Sequence, residues 1–361
     1  MKTLLFILKQ NLLDSKDCEG GYAQLKSSGL FNSARMVTEI LNGSATNVTA
    51  ILDLAADGNC IDRLVTLHKP DEVILEAVWV TPAKLAELAG LHPTVQWTVR
   101  LHSEVPFLAQ EGIAISWLSQ YRDIGPQNLE GPHTVRLGFN SVRCMNALDS
   151  VMEFHPGEAV YMPNLYNQAS GGHADVDFTR SGNVLNIGCF GAVRPFKNTV
   201  NQAIAAIEVA KTLGLSLEFH INGSRAENGG EATIKSLHSL FEEASGGSAA
   251  LTEHLWRDHA SFKALLGTMD LVTQVSYTET FNIVAADAIA VGVPVVTSSE
   301  VPWSSSLWHA DCNNIPDIRN KMLSAIKWSS LNVWLNRRNL SYGRKYSYSY
   351  RALEAWKKLY P

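Results

Sequence analysis

The chain has 361 residues, 46% of them hydrophobic and 18% charged, with a formal net charge of −5 and a mean hydropathy of −0.03. At roughly 100–200 residues per domain, these values fit two globular domains and exclude collagenous, disordered and coiled-coil classes. The negative balance excludes a uniformly basic nucleic-acid coat, but the charge is unevenly spread: Ile318–Pro361 holds ten Lys or Arg and one acid, Glu354. In chain order, Met1–Lys9 begins like a secretion signal. Its apolar run is only about five or six residues, against roughly 7–15 in a signal core, so it reads as a buried first strand, Thr3–Leu8. The charged, glycine-bearing stretch Asp14–Tyr22 reads as a solvated turn, with a mobile flap over the acceptor side as the alternative. Strands follow at Val48–Leu52, Glu72–Leu75, Val95–Leu101 and Val135–Leu137, with helices at Gly29–Leu41, Cys60–His68, Pro82–Ala89 and Ser141–Val151. In the second half, strands are expected at Leu185–Phe190, Leu215–Ile221, Leu271–Val275 and Val293–Thr297. The helices there are Asn198–Leu213, Glu231–Glu243, His259–Leu266 and Phe281–Val291.

Short β-branched runs alternating with helical periods define an α/β chain of two doubly wound, Rossmann-like parallel-sheet domains. Residues 164–183, rich in Gly, Ser, Asn and Asp, form the expected linker. The domains are then 1–163 and 184–317, followed by a basic, aromatic segment 318–361. Cys18, Cys60, Cys144, Cys189 and Cys312 are odd in number, scattered and without a CxxC pair. That argues against a disulfide framework or a zinc site, and for a reducing, cytoplasmic compartment. No run of about 18 apolar residues suggests a membrane span.

Two constellations carry chemistry. Gly188-Cys189-Phe190-Gly191-Ala192-Val193-Arg194-Pro195-Phe196-Lys197-Asn198 joins a strand to a helix, so it belongs to the strand-end rim where α/β ligands bind. It lacks GxGxxG. Its glycines permit close backbone approach, and Arg194 with Lys197 offers two cations to a diphosphate; an ordinary loop with two surface cations is the plain alternative. The second runs from Tyr277 through Glu279, Phe281, Asn282, Ile283 and Asp287 to Gly292-Val293-Pro294-Val295-Val296. Eight residues at 3.6 per turn bring Asp287 within about 80° of Glu279, so the two carboxylates are expected to flank one ligand lengthwise, and the helix N-terminus near Phe281–Ile283 attracts an anion. An Asp in so apolar a helix is costly unless partnered.

Arg194-Pro195-Phe196-Lys197, Glu279-x7-Asp287 and Gly-Val-Pro-Val-Val, in that order, resemble the family 4 retaining glycosyltransferases of the GT-B fold. The resemblance is strong over Leu185–Ser298. It extends more weakly to Ser28-Gly29-Leu30-Phe31-Asn32, Arg100-Leu101-His102-Ser103 and Met162-Pro163-Asn164. It implies two Rossmann-like domains facing a central cleft and a nucleotide-diphosphate sugar, a UDP-sugar, as co-substrate, with neither a metal nor a resident cofactor. Arg194 and Lys197 would then neutralise the departing diphosphate, Glu279 would hold donor-sugar hydroxyls, and Asp287 would hold the ribose. Gly29, Gly191, Phe281, Asn282 and Ile283 would line the donor, and His102 would touch the sugar or the acceptor. Asp287 departs from the family's Glu by one methylene. Retention would follow same-face attack, the leaving phosphate taking the acceptor proton, with no nucleophile–acid carboxylate pair. The segment His254–His259 matches no zinc-finger or HExxH spacing and is expected as a strand-to-helix loop near the nucleotide base.

In the tail, the cations are interleaved with Trp328, Trp334, Tyr342, Tyr346, Tyr348, Tyr350, Trp356 and Tyr360. Either a last helix crosses back and the aromatics anchor it, or the segment grips a polyanion by phosphate neutralisation and base stacking. The resemblance extends to phage enzymes that glycosylate hydroxymethylated DNA bases, which makes DNA one candidate acceptor and a glycan the other. Two further readings stand beside transfer: a sugar-nucleotide epimerase, and a non-catalytic polyanion-binding protein on the same fold.

Overall fold

The computed structural model describes residues 1–10, 28–44, 46–124, 135–167, 182–244 and 246–361. The expected turn Asp14–Tyr22 and most of the expected linker lie outside the described residues. The chain divides into two compact units. The first comprises Met1–Leu12, Leu30–Asn167 and Arg351–Pro361, and the second has Gln168–Tyr350 as its body.

In the first unit the strands are β1 (Lys2–Lys9), β2 (Val48–Ala55), β3 (Glu72–Glu76), β4 (Gln96–Leu101), β5 (Arg136–Phe139) and β6 (Ala159–Tyr161). They form a parallel sheet in the order β2-β1-β3-β4-β5-β6. Helices α1 (Gly29–Gly43), α2 (Ile61–His68), α3 (Pro82–Leu91), α4 (Val105–Gln110), α5 (Ala114–Arg122) and α6 (Val142–Met152) make the crossovers. A central parallel strand is covered on both faces and so reads as an unbroken apolar run. Leu4 to Leu8 of β1 are all buried. Leu5, Ile7, Val73, Leu75, Val99 and Leu101 share one core with Leu64, Leu85 and Leu88 of the covering helices.

The second unit holds β7 (Val184–Val193), β8 (Ser216–Ala226), β9 (Ala249–Glu253), β10 (Leu271–Gln274) and β11 (Val295–Thr297). Their order is β11-β10-β7-β8-β9, again parallel. Its helices are α7 (Thr199–Leu213), α8 (Gly230–Ala244), α9 (His259–Leu266), α10 (Ile283–Val291), α11 (Ile315–Lys327) and α12 (Ser329–Asn339). Helix α10 is apolar around nearly its whole circumference, and Val284–Ala290 are accordingly buried.

Helix α13 (Tyr348–Leu359) ends the chain, and its residues from Arg351 onward belong to the first unit. There Trp356 is fully buried, donates its indole N–H to the Pro163 carbonyl (2.9 Å) and lies 6.0 Å from the Phe6 ring. Tyr360 stacks on it at 6.1 Å.

Most elements expected from the sequence form within a few residues. β6 and β9 were not expected. Both are edge strands, half covered, and so carry no long apolar run to announce them. Helices α4, α5, α11 and α12 were also missed. One boundary matters for the site: the helix expected from Phe281 starts at Ile283, because Asn282 takes a left-handed backbone (φ 63°) and caps it. No helix of the described residues is long and apolar enough to cross a membrane.

Candidate functional site

In the second unit, the loops after β7 and β10 leave neighbouring parallel strands at the same end of the sheet. The ladder between β7 and β8 slips between Gly188 and Ala192, and Gly191 sits at φ 110°, a region that L side chains rarely adopt. The Asn222 side chain accepts the Gly191 N–H at 2.9 Å and fixes this bend. Arg194 then precedes a single helical turn, Pro195–Lys197, and Asn198 reverses the chain into α7. The Asn198 amide ties the turn to the loop after β10 by donating to the Val275 carbonyl (3.1 Å).

The two loops meet at a charged cluster. Lys197 Nζ donates to Glu279 Oε1 at 2.5 Å. Asn282 Nδ2 donates to the same oxygen at 3.0 Å and to Gln274 Oε1 at 2.9 Å, while its Oδ1 accepts the Ala285 N–H. One side chain thus caps α10 and orients Glu279. Lys197 is 21% exposed and Glu279 12%, so the pair is sheltered without being sealed. Glu279 lies before the helix and Asp287 within it, so the helical spacing of about 80° expected between the two carboxylates does not apply.

Arg194 pairs with Glu227 at 2.7 Å, and Arg225 reaches the same carboxylate at 2.6 Å while lying 4.5 Å from the Trp256 ring centre. Burial pushes the Glu227 carboxyl up, but the Arg194 and Arg225 guanidiniums outweigh it and hold it below the usual carboxylate range. Asp287, 2% exposed, accepts a hydrogen bond from His259 Nε2 at 2.9 Å. This meets the sequence argument that so apolar a helix needs a partner for its acid. His254 to Asp258 do form a strand-to-helix loop, closed by Asp258 capping α9 through the Ala260 and Ser261 N–H groups. Upstream, His220 and His254 stack, and burial next to His254 lowers the His220 imidazole to about 4.

Phe281 is a packing residue. It is 2% exposed, lies 6.0 Å from the Trp303 ring and 5.6 Å from that of Tyr348, and its carbonyl accepts the Trp303 indole N–H. Ile283 opens α10, and Gly29 opens α1.

In the first unit His102 follows β4, and its Nε2 hydrogen-bonds Glu76, the last residue of β3. Glu76 also takes both bonds from Arg100 Nη1 (3.0 and 3.1 Å). Arg100 continues to the Met162 carbonyl (2.9 Å) and Asn164 Oδ1 (2.7 Å). Arg100 and Glu76 are wholly buried. Burial raises the Glu76 carboxyl, and the charges of Arg100 and His102 turn the net shift downward. Burial lowers His102, and Glu76 restores only part of that.

The structure therefore brings together Lys197, Glu279 and Asn282, and gives Arg194 and Asp287 separate partners within the same unit. Sequence reasoning missed Glu76, Asn222, Glu227, Gln274 and His259. Glu76 had a signal, an acid ending an apolar strand and facing Arg100 in the next one. The others had none, because their roles depend on contacts distant in sequence. Among the described residues, no three His, Cys, Asp or Glu converge as a metal-ligand cluster.

Comparison with known proteins bears on the fold of the chain and on the family of its middle part. Residues 149–303 fit the family model described as Family 4 Glycosyltransferase in conflict systems. No curated protein matches the chain. Among solved structures, Anabaena Alr3699/HepE in complex with UDP-glucose is 14% identical, covering 99% of this chain and 100% of that one with a TM-score of 0.64. A glycosyltransferase from Rickettsia africae is 11% identical, covering 99% and 98%, with a TM-score of 0.61. A UDP-forming α,α-trehalose-phosphate synthase from Burkholderia vietnamiensis is 10% identical, covering 99% and 96%, also at 0.61. Over residues 149–303 the chain is thus similar to family 4 glycosyltransferases, and the chain as a whole has the α/β GT-B fold.

Proposed function

We propose that this family 4-like chain of GT-B fold is a glycosyltransferase that moves a sugar from a UDP-sugar to a hydroxyl acceptor, with retention and without a bound metal. The observation that carries the reading is the Lys197–Glu279–Asn282 cluster at the N-terminus of α10. Beside it the preceding loop supplies Arg194. A nucleoside diphosphate leaves as a polyanion. Fixed cations and a helix N-terminus aimed at that charge are worth several kcal/mol, about 3–4 for one well-placed donor.

In this reading Arg194 and Lys197 bind the diphosphate and do the work a metal ion does elsewhere. Glu279, held by Lys197 and Asn282, accepts hydrogen bonds from the sugar hydroxyls. Asp287 binds the ribose, and Gly191 and Ile283 let the backbone approach the phosphates. His102 contacts the sugar or the acceptor. The anomeric carbon–phosphate oxygen bond breaks, the acceptor oxygen bonds that carbon on the same face, and the acceptor proton passes to the departing phosphate oxygen. The acceptor is a hydroxymethylated DNA base or a glycan hydroxyl.

Incubation with UDP-sugars tests the donor half: UDP binding and slow UDP release are expected, and Arg194→Ala removes both. Failure to bind any nucleotide overturns the reading. Mass spectrometry of DNA containing 5-hydroxymethylpyrimidines and of a glycan panel, after incubation with mixed nucleotide sugars, identifies the acceptor.

A further inference from the structure

Helix α12 mixes polar and apolar residues on both of its faces: Val333 is buried and Leu335 packs on the core, beside two amides. Its inner face carries Asn332 and Asn336, 0% and 1% exposed. Asn332 accepts the Val295 N–H at 3.0 Å and donates to the Val295 carbonyl at 2.8 Å, and Asn336 accepts the Ser305 N–H at 2.7 Å. Two amides thus pin the helix to the backbone at and beyond β11. On the outer face Leu331, Trp334 and Arg338 follow the i, i+3, i+7 spacing of one helical stripe. Trp328, at the junction of α11 and α12, precedes Leu331 by a further three residues. Trp328 and Trp334 are 53% and 51% exposed, and Leu331 is 43%. A surface helix ordinarily turns its apolar residues inward.

Along the chain, the charge on either side of the stripe has one sign. From Ile318 to Leu353 there are eight Lys or Arg and no acid. Three of the cations brace the fold. Arg337 donates to the Ile289 and Ala290 carbonyls at the end of α10, Lys321 donates to the Leu307 carbonyl, and Arg319 lies 3.6 Å from Glu208. Arg351 belongs to the first unit. Three others lie over aromatic rings: Lys327 over Trp328 (5.5 Å), Arg338 over Trp334 (5.6 Å) and Lys345 over Tyr346 (5.5 Å). The tail's remaining large aromatics divide differently, since Tyr348, Trp356 and Tyr360 are buried.

A partner for cations paired with half-open rings is anionic and offers flat faces of its own. A membrane surface fits poorly: interfacial helices sink a continuous apolar face, and here one aliphatic residue, Leu331, stands between two rings topped by charge. A chain of phosphates bearing bases matches both features.

We propose that the outward face of α12, Lys327-Trp328 with Leu331, Trp334 and Arg338, is a docking surface for single-stranded nucleic acid. Phosphates meet Lys327 and Arg338, and bases stack on Trp328 and Trp334. The surface shares no residue with the Lys197–Glu279 cluster, so it stands whether or not the bound strand is the sugar acceptor.

The test is fluorescence anisotropy of a labelled oligothymidine titrated with the full chain at low and moderate salt. Binding is expected to weaken about tenfold between about 50 and 200 mM NaCl. Trp334→Ala and Trp328→Ala are each expected to weaken it about tenfold, and Trp334→Phe to weaken it less, because a ring remains to stack on. Lys327→Glu with Arg338→Glu is expected to abolish it, with melting temperatures unchanged. Absence of salt-sensitive binding overturns the proposal, as do alanine variants that bind like the parent. Binding to phosphatidylserine vesicles without binding to the oligonucleotide overturns it too. UDP binding, measured on the same preparations, judges the donor reading separately.

Discussion

Lys197 and Glu279, 82 residues apart, are joined by a 2.5 Å hydrogen-bonded ion pair that ties the loop after β7 to the loop after β10. Each therefore holds the other in place, and a donor that engages one draws on both. Lys197→Ala and Glu279→Gln are each expected to lower UDP-sugar turnover by about 10²–10³-fold. The double variant should lose far less than the product of the two, because contacting residues are not additive. Lys197→Ala is expected to weaken UDP binding as well, whereas Glu279→Gln leaves it near the parent value. Initial rates and calorimetric titration with UDP check both.

Asp287 is buried and its carboxylate is engaged by His259. His259→Ala is expected to leave a poorly solvated carboxylate and to weaken UDP binding about 10- to 100-fold, the range for a hydrogen bond to a charged group. Asp287→Asn tests the same contact from the other side. On the proposed ribose contact of Asp287, UMP and UDP should be affected alike, and a loss confined to UDP would contradict that contact.

The Glu76–Arg100 pair makes a pH-dependent prediction. Glu76 is held below its usual 4.5, so its contribution to stability is complete above that value and is lost as the pH falls through the lower, folded one. His102 is held below 6.5, so the unfolded chain takes up a proton first and stability also falls as the pH drops below 6.5. Both act in one direction, and the melting temperature should fall steadily from pH 7 towards pH 4. Glu76→Gln leaves the Arg100 guanidinium buried without its counter-charge. A loss of about 3–5 kcal/mol is expected in denaturant titration at pH 7.

Gly191→Ala separates strain from crowding. The nearest atoms to an added Cβ are 3.9 Å (Val284) and 4.0 Å (Lys197), so there is room. The backbone at φ 110° is what alanine resists, at a cost of about 1–3 kcal/mol. Weaker UDP binding with a largely intact melting curve is expected if the loop relaxes; an unchanged affinity would show that the bend is not used for the donor.

The sequence made the central strands legible, because burial on both faces forces apolar runs such as Leu4–Leu8. It left the edge strands β6 and β9 unreadable for the converse reason. In the site, Arg194, Lys197, Glu279 and Asp287 announced themselves as charges at strand ends or in an apolar helix. Their partners Glu227 and His259 did not, since pairing across the fold leaves no local pattern. Asn282 shows the limit of periodicity: it is expected from the resemblance to line the donor, yet its left-handed backbone moves the helix start and with it the geometry of Glu279.

The placement of Trp356 has a consequence for synthesis. The first unit needs this residue beneath Phe6 and against Pro163, but the ribosome reaches it only after all of Gln168–Tyr350 has been made. The packing of β1 is thus completed long after β1 itself is made. The usual order, in which an N-terminal domain closes before the next emerges, is unavailable to this chain. Until α13 is made, the Phe6 ring lacks its Trp356 neighbour and the Pro163 carbonyl lacks its indole donor, so this part of the first unit closes only after the second unit has been synthesised.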